Sequence, residues 1–310
     1  MKGELELIQN IKKRFSLDKI GDDCAVLPKN PEMDMVITAD MLVEDVDFRL
    51  EWTTPEFLGH KALAVSLSDI AAMGAWPNWA MLSIAVPEKL WKGDFVDRFY
   101  EGWHRLAGEF DTELIGGDIS RSPDKFVLDS TVGGEVPRGQ AVRRSGARVG
   151  DAIFVSGTLG GAAGGLNILE RECGARPNEL VLKQLRPNPR LTLAESLRAH
   201  SIPSSMIDIS DGLSSDLMHI CQASDVGAKI DTIPVDKMLY QSFGSEESIQ
   251  FALHGGEDFE LLFTVPQEKI SDLKDLPVTR IGEITCQAGN IELIRNGRAE
   301  ILEPKGFRHF

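Results

Sequence analysis

Six aspartates in this chain share one setting. Asp23, Asp40, Asp69, Asp118, Asp208 and Asp211 stand at the edges of apolar stretches, several of them beside glycine. The local sequences are Gly21-Asp22-Asp23, Thr38-Ala39-Asp40, Ser68-Asp69, Gly116-Gly117-Asp118 and Asp208-Ile209-Ser210-Asp211-Gly212. Taken singly, each has an ordinary reading. Paired acids after glycine make solvated turns, Asp211 suits a helix N-cap, and Asp69 suits a structural ion pair. The recurrence asks for chemistry. If the fold gathers these carboxylates, two charges about 4 Å apart repel by roughly 4 kcal/mol even at an effective dielectric of 20. Such a cluster takes up protons or holds hard cations. Carboxylates with few histidines favour Mg²⁺ over zinc, and a carboxylate site with several Mg²⁺ ions suits a polyphosphate.

Elements must carry these residues. Periodicity predicts an amphipathic helix over residues 4–15, with Leu5, Ile8, Ile11 and Phe15 on one side. The run after Asp23 reads as a strand, and residues 34–38 as another that Asp40 closes. Glu44, Asp45 and Asp47 then read as an exposed acidic loop. Thr54 at the N-cap and Pro55 at the first helical position start a helix that ends at Gly74. On it Leu58, Ala62, Val65, Asp69 and Ala72 form one stripe. A lone carboxylate on that apolar face needs an ion pair or a metal. A strand over 80–86 follows, then a helix over 95–110 with Phe95, Phe99, Trp103 and Leu106 inward and Tyr100 offset. A strand over 113–115 ends at Gly116 and Gly117, which make a tight turn or let backbone approach a ligand. A further strand covers 125–136.

Residues 137–150 are basic, glycine-rich and poor in apolar side chains. They mark a boundary between domains 1–137 and 138–310. Arg138, Arg143, Arg144 and Arg148 suit phosphate oxygens or surface acids. The glycines of residues 157–165 follow a strand but fit neither the dinucleotide fingerprint nor the P-loop, so close helix packing is their expected use, before a helix from about 166. Helices over 189–200, 213–223 and 248–253 alternate with strands over 206–209, 227–231 and 259–265, and two short strands close the chain. Asp208 interrupts an apolar strand, and Ser210 and Asp211 stand where it hands over to a helix. Glu257 and Asp258, after Gly255 and Gly256, repeat the acid-after-glycine pattern. No hydrolase elbow or zinc helix is present in the sequence.

At 310 residues the chain suits two domains. A net charge of −15 argues against a nucleic-acid partner but allows phosphates bridged by divalent cations. Cys24, Cys173, Cys221 and Cys286 form no Cys-x-x-Cys and read as reduced thiols. The apolar stretch 62–86 is broken by Asp69 and by Trp76-Pro77-Asn78, so it is no membrane span. With no signal-peptide core at the start, a cytoplasmic setting is expected.

Seven blocks, in order, resemble the thiamine-monophosphate kinase family. They are Gly21-Asp22-Asp23-Cys24-Ala25, the block from Thr38 to Glu44, the block from Lys61 to Gly74, Ile115-Gly116-Gly117-Asp118, Arg144-Ser145-Gly146, the block from Ile207 to Leu213, and Gly255-Gly256-Glu257-Asp258. Each block alone is weak, and seven in sequence over nearly the whole chain are specific. The resemblance implies an α+β, two-domain, aminoimidazole-ribonucleotide synthetase-like fold. In it an N-terminal mixed sheet with helices pairs into a dimeric barrel, and a C-terminal α/β sandwich domain completes the site. It also implies transfer of the γ-phosphate of ATP to thiamine monophosphate with several Mg²⁺ ions, in a homodimer, with no nucleic acid and no membrane.

Carried over, Asp23, Asp40, Asp69, Asp118, Asp208 and Asp211 resemble the family's metal ligands, with Thr38 and Ala39 at metal-contact positions. Tyr100, Gly116, Gly117, Asp118, Arg144 and Ser210 match nucleotide positions. Glu257 and Phe307 match contacts to the thiamine portion. Two departures stand out. The family usually has Thr at Ala39, where only a backbone carbonyl could now reach metal. It usually has Gly and His at Asp45 and Asp47. Asp47 can accept a hydrogen bond from the substrate or hold a cation, but it repels a phosphate.

Overall fold

The computed structural model describes residues 4–17, 19, 21–172 and 177–307; Cys173 and the side chain of Leu5 lie outside them. Helix α1 (Glu4–Phe15) precedes strands β1 (Ala25–Pro28) and β2 (Met33–Val43). Then come α2 (Pro55–Ala72), β3 (Trp76–Pro87), the single turn α3 (Glu88–Trp91), α4 (Phe95–Glu109), β4 (Glu113–Ser122) and β5 (Val127–Pro137). The five strands form a mixed sheet in the order β1-β2-β5-β3-β4, with β3 and β4 parallel and the other neighbours antiparallel.

The second half begins with β6 (Ala152–Ser156), α5 (Gly161–Arg171), α6 (Glu179–Leu185), α7 (Leu191–Ala199) and β7 (Ser205–Asp208). It continues with α8 (Leu213–Ser224), β8 (Gly227–Ile230), α9 (Lys237–His254), β9 (Leu261–Val265) and a 3-10 helix (Gln267–Leu273), and ends with β10 (Val278–Thr285), β11 (Ile291–Arg295) and β12 (Arg298–Ile301). Its seven strands are ordered β12-β11-β8-β10-β6-β9-β7. The architecture is α+β, with a mixed sheet in each half. One hydrophobic cluster runs from Val36, Leu63 and Trp103 through to Phe154, Met206 and Phe263, so the two halves share a core.

Helix α2 is the hub of that core. Thr54 accepts the Phe57 amide at 3.3 Å, Pro55 occupies the first turn, and the left-handed Gly74 follows the last. The expected one-sided stripe is replaced by burial on nearly every side. The reason is position: sheet and α4 cover one side, and α7 and β7 of the other half cover the rest. Gly59 lets α2 approach α4, since a Cβ there would stand 1.9 Å from the Phe99 carbonyl oxygen.

Several elements differ from their sequence-based limits. β2 does not stop at Asp40, because its pairing with β5 continues to Val43 opposite Val127. β4 does not end at the paired glycines but runs through them to Ser122, with a bulge opposite Ala80 and Met81. α5 begins at Gly161 rather than near 166, so its glycines lie inside the helix, where Gly165 packs on the Leu180 carbonyl of α6. This is the close packing expected of them. α9 begins at Lys237 and bends at Gly244. The sequence reading places two short strands after residue 265, and the described residues there hold three, β10, β11 and β12.

Candidate active site

The seam between the halves gathers acids. Ligand oxygens of Asp23, Asp69 and Asp208 all lie within 4.8 Å of one another. Asp23 precedes β1, Asp69 rides on the last turns of α2, and Asp208 ends β7. Hydroxyls hold them: Ser68 donates to Asp208 at 2.6 Å, and Thr38 donates to Asp69. Asp40 adjoins the group, taking a 2.7 Å hydrogen bond from Ser66. Thr38 and Asp40 share the buried face of β2 that looks onto α2.

Burial first, and charge repulsion after it, shape the protonation of this group. Burial pushes the Asp208 carboxyl up to about 8, with Asp23 adding to the rise and Ser68 and Arg144 opposing it. Burial likewise lifts Asp40 to about 6, against the Ser66 hydrogen bond. Asp69 stands well above the ordinary carboxylate range, through burial and then the charges of Asp40, Asp208 and Asp23. Burial raises Asp23 too, although Arg144 pulls it back. Arg144 forks onto Asp23 at 2.8 and 3.3 Å, and its amide donates to Asp22. This is an all-carboxylate donor set with one guanidinium beside it. Its chemistry fits hard, oxygen-seeking divalent cations.

A second group joins Asp211 to Asp216 and His219, again within 4.8 Å. Asp211 is not the N-cap that its position suggests. Asp216 does that work from inside the first turn of α8, accepting the amides of Asp211 at 3.2 Å and Gly212 at 3.0 Å. Burial pushes His219 down to about 4, with Arg144 contributing. The neighbouring loops close in on Ser210 and Asp211. The Glu257 amide donates to the Ser210 carbonyl at 2.8 Å, and the Phe307 amide donates to the Asp211 carbonyl at 3.2 Å. Phe307 thus lies over the same loop with its ring exposed.

Other expected site residues fall elsewhere. Asp118 pairs in register with Ser83, on the sheet face turned away from α2. Ala39 is on that outer face as well, one residue out of phase with Thr38 and Asp40. Within one chain, therefore, neither Asp118 nor the Ala39 side chain joins the acid cluster. Gly116 and Gly117 run along the exposed edge strand beside Asp118. Gly117 is required there: its φ is +152° and a Cβ would lie 1.9 Å from the Leu82 oxygen. Tyr100 is half-buried on α4, edge-on to Phe99, and burial raises its phenol. Asp47 accepts the Val43 amide at 2.7 Å, and Asp45 pairs with Lys125. Asp47 thus serves its own turn. The sequence reading missed Lys61, Ser66, Ser68, Gln184, Asp216 and His219. The signal for Ser66 and Ser68 is a pair of hydroxyls within the apolar run from Ala62 to Ile70 that Asp69 interrupts.

The family models described as AIR synthase related protein, N-terminal domain and C-terminal domain, match residues 21–136 and 148–293. The thiamine-monophosphate kinase of Escherichia coli (strain K12) is 41% identical over 305 residues, covering 94% of this chain and 91% of that one. The chain belongs to the thiamine-monophosphate kinase family. The family member from Bacillus subtilis (strain 168) is 36% identical and covers 99% of both chains. A solved structure of AaThiL complexed with AMPPCP and TMP matches with a TM-score of 0.89 and 36% identity, covering 99% of this chain and 97% of that one.

Proposed function

We propose that this chain transfers the γ-phosphoryl group of ATP to thiamine monophosphate, giving thiamine diphosphate and ADP. The observation that carries the reading is the convergence of Asp23, Asp69 and Asp208 from both halves of the chain within 4.8 Å. Such a cluster is tolerated for what it binds. Full-length likeness to thiamine-monophosphate kinases, and to a relative complexed with AMPPCP and TMP, supports the same reading. AMPPCP is an ATP analogue, and we take TMP as the acceptor.

Asp23, Asp40, Asp69, Asp208 and Asp211, with the backbone at Thr38 and Ala39, are the residues that would hold Mg²⁺. When bound, these ions neutralise the phosphates of two anionic reactants and stabilise the departing ADP. The chain's own residues position and screen. Ser66, Ser68 and Thr38 fix the carboxylate rotamers, and Arg144 keeps a permanent cation beside Asp23. Ser210 and Arg144 line the nucleotide side, while Glu257 and Phe307 take the organic part of the acceptor. An acceptor phosphate is already anionic, so in-line attack needs no side-chain base. Catalysis then rests on orientation and charge neutralisation.

The outer sheet face supports a homodimer. Met41 and Met81 are exposed on that face, and Ile115 is exposed at the β4 bulge beside it. Docking two such faces into a barrel would cover them and bring the partner subunit's Asp118 and Gly117 toward a site they cannot reach within one chain. The domain division 1–137 and 138–310 belongs to the same reading. Cys24, Cys221 and Cys286 are free thiols, and no helix of the described residues is long and apolar enough to cross a membrane, which supports a cytoplasmic setting.

The test is an assay for thiamine diphosphate from Mg-ATP and thiamine monophosphate, with calorimetry of each ligand. Turnover is expected. Tight ATP binding with no turnover under any metal condition would turn the assignment toward a nucleotide-binding protein without catalysis.

A further inference from the structure

Lys61 occupies an improbable place for a lysine. It sits on α2 with only 3% of its surface exposed. A buried ammonium is unfavourable unless paired. Its Nζ contacts both carboxylate oxygens of Glu257, at 2.7 and 2.9 Å. Gln184 of α6 donates its side-chain amide to the same carboxylate, and among the described residues the buried Gln184 Oε1 has no partner. Two donors from two helices therefore hold one acid.

That acid comes from a strained loop. Glu257 has φ +66° and Phe259 has φ +48°, a left-handed region that bulky residues enter only when held. The Glu257 and Phe259 amides donate to the carbonyls of Ser210 and Ile209 at 2.8 and 2.9 Å. Between them, Asp258 accepts the amides of Gly160 and Ala162 at 2.6 and 3.2 Å. This double turn sends Asp258 into α5 and Glu257 toward α2. The pair is also one-sided: the Lys61 side chain is 4% exposed and that of Glu257 28%. The cation lies behind, and the carboxylate keeps an open side.

We propose that Lys61, with Gln184 beside it, is a positioning residue that aims Glu257 at the organic portion of the acceptor. The proposal rests on Glu257 being a substrate contact. A thiazolium cation and the N–H donors of an aminopyrimidine suit the open side of an ionised carboxylate. Scale agrees. Lys61 and Ser68 lie on one stripe of α2, seven residues or about 10 Å apart. Ser68 touches Asp208 in the acid cluster. One helix thus spans from the phosphate end of the site to its organic end.

Steady-state kinetics with both substrates test this, on Lys61→Met, Lys61→Arg, Glu257→Gln and the double variant Lys61→Met with Glu257→Gln. In Lys61→Met the KM for thiamine monophosphate should rise on the order of tenfold to a hundredfold, with kcat and the KM for ATP nearly unchanged. Lys61→Arg should restore most of the loss. In the Glu257→Gln background, Lys61→Met should add little, because its effect passes through Glu257. An equal rise in both KM values, or additive losses in the double variant, would overturn the proposal. If Glu257→Gln itself leaves the KM for thiamine monophosphate unchanged, the assignment of Glu257 to the substrate fails instead. If Lys61→Met does not fold, Gln184→Leu decides by the same readout: a selective rise in that KM supports the proposal, and an unchanged KM overturns it.

Discussion

Ser68 donates a hydrogen bond to Asp208 at 2.6 Å, across 140 residues of sequence. One end of α2 is thereby fastened to the end of β7, at the seam where the two halves meet. The next residue, Asp69, faces the other acids. A helix that packs the core is thus the same helix that presents the charges. Its burial stabilises the fold, while the buried carboxyl of Asp69 opposes it until something neutralises it.

Removing a carboxylate should therefore separate stability from activity. Asp69→Asn and Asp208→Asn remove the cost of burying a carboxyl among other acids in the metal-free protein and should stabilise it by about 0.5–2 kcal/mol. Both should lose activity by on the order of a hundredfold or more. Thermal melts in chelator and the thiamine diphosphate assay measure the two effects. Lower melting temperatures in both variants would make these acids structural.

The pH dependence has a definite sign. Burial pushes folded Asp208 up to about 8 and folded Asp40 up to about 6, whereas an unfolded aspartate titrates at about 3.9. Above that value the folded chain keeps protons the unfolded chain has released. The resulting stability is full below about pH 4 and is lost as pH rises through about 6 and then about 8. In chelator, the melting temperature should fall across this window more steeply than in Asp208→Asn. Saturating Mg²⁺ should oppose the fall by taking the place of the protons. Identical slopes for wild type and variant would show that Asp208 holds no extra proton.

Local chemistry was readable where the cause lay within a few residues. Thr54, Pro55 and Gly74 bounded α2, and acids after glycine pointed to the site. What escaped depended on distant partners. Lys61 and Glu257 are 196 residues apart, and nothing near either announces the other. Asp118 looked equivalent to its fellow acids, yet sheet register turns it to the opposite face. Gly116 and Gly117 read as a tight turn or a close backbone approach, and a bulged edge strand needs the same freedom. Helix α9 was cut short because Gly244 interrupts its periodicity.

The crossing of α2 and α4 should be intolerant of a single methyl group. A Cβ at Gly59 would lie 1.9 Å from the Phe99 oxygen, and one at Gly102 would lie 1.9 Å from the Glu56 oxygen. Backbone cannot step aside as a side chain does. Gly59→Ala and Gly102→Ala should each cost about 1–3 kcal/mol by denaturant titration. Gly108 is also on α4, with nothing within 4 Å of its would-be Cβ. Gly108→Ala should be neutral or stabilising, by up to about 1 kcal/mol. Similar losses at all three positions would mean that glycine matters here for another reason.

Asp118 provides the sharpest test of assembly. It lies on the outer face with Ala39, while Asp69 lies between the sheet and the second half. If one site uses Asp69 of one chain and Asp118 of its partner, the two variants should complement. Asp69→Asn and Asp118→Asn homodimers should both be inactive. In a heterodimer of the two, one site receives both substitutions and the other receives neither. Random re-pairing makes half of the dimers mixed, so about one quarter of wild-type activity should return. Co-refolding the two variants and assaying thiamine diphosphate formation reads this directly. No recovery, with mixed dimers verified by differently tagged chains, would place Asp118 outside any shared site and leave the exposed face of β2, β3 and β4 without a catalytic role.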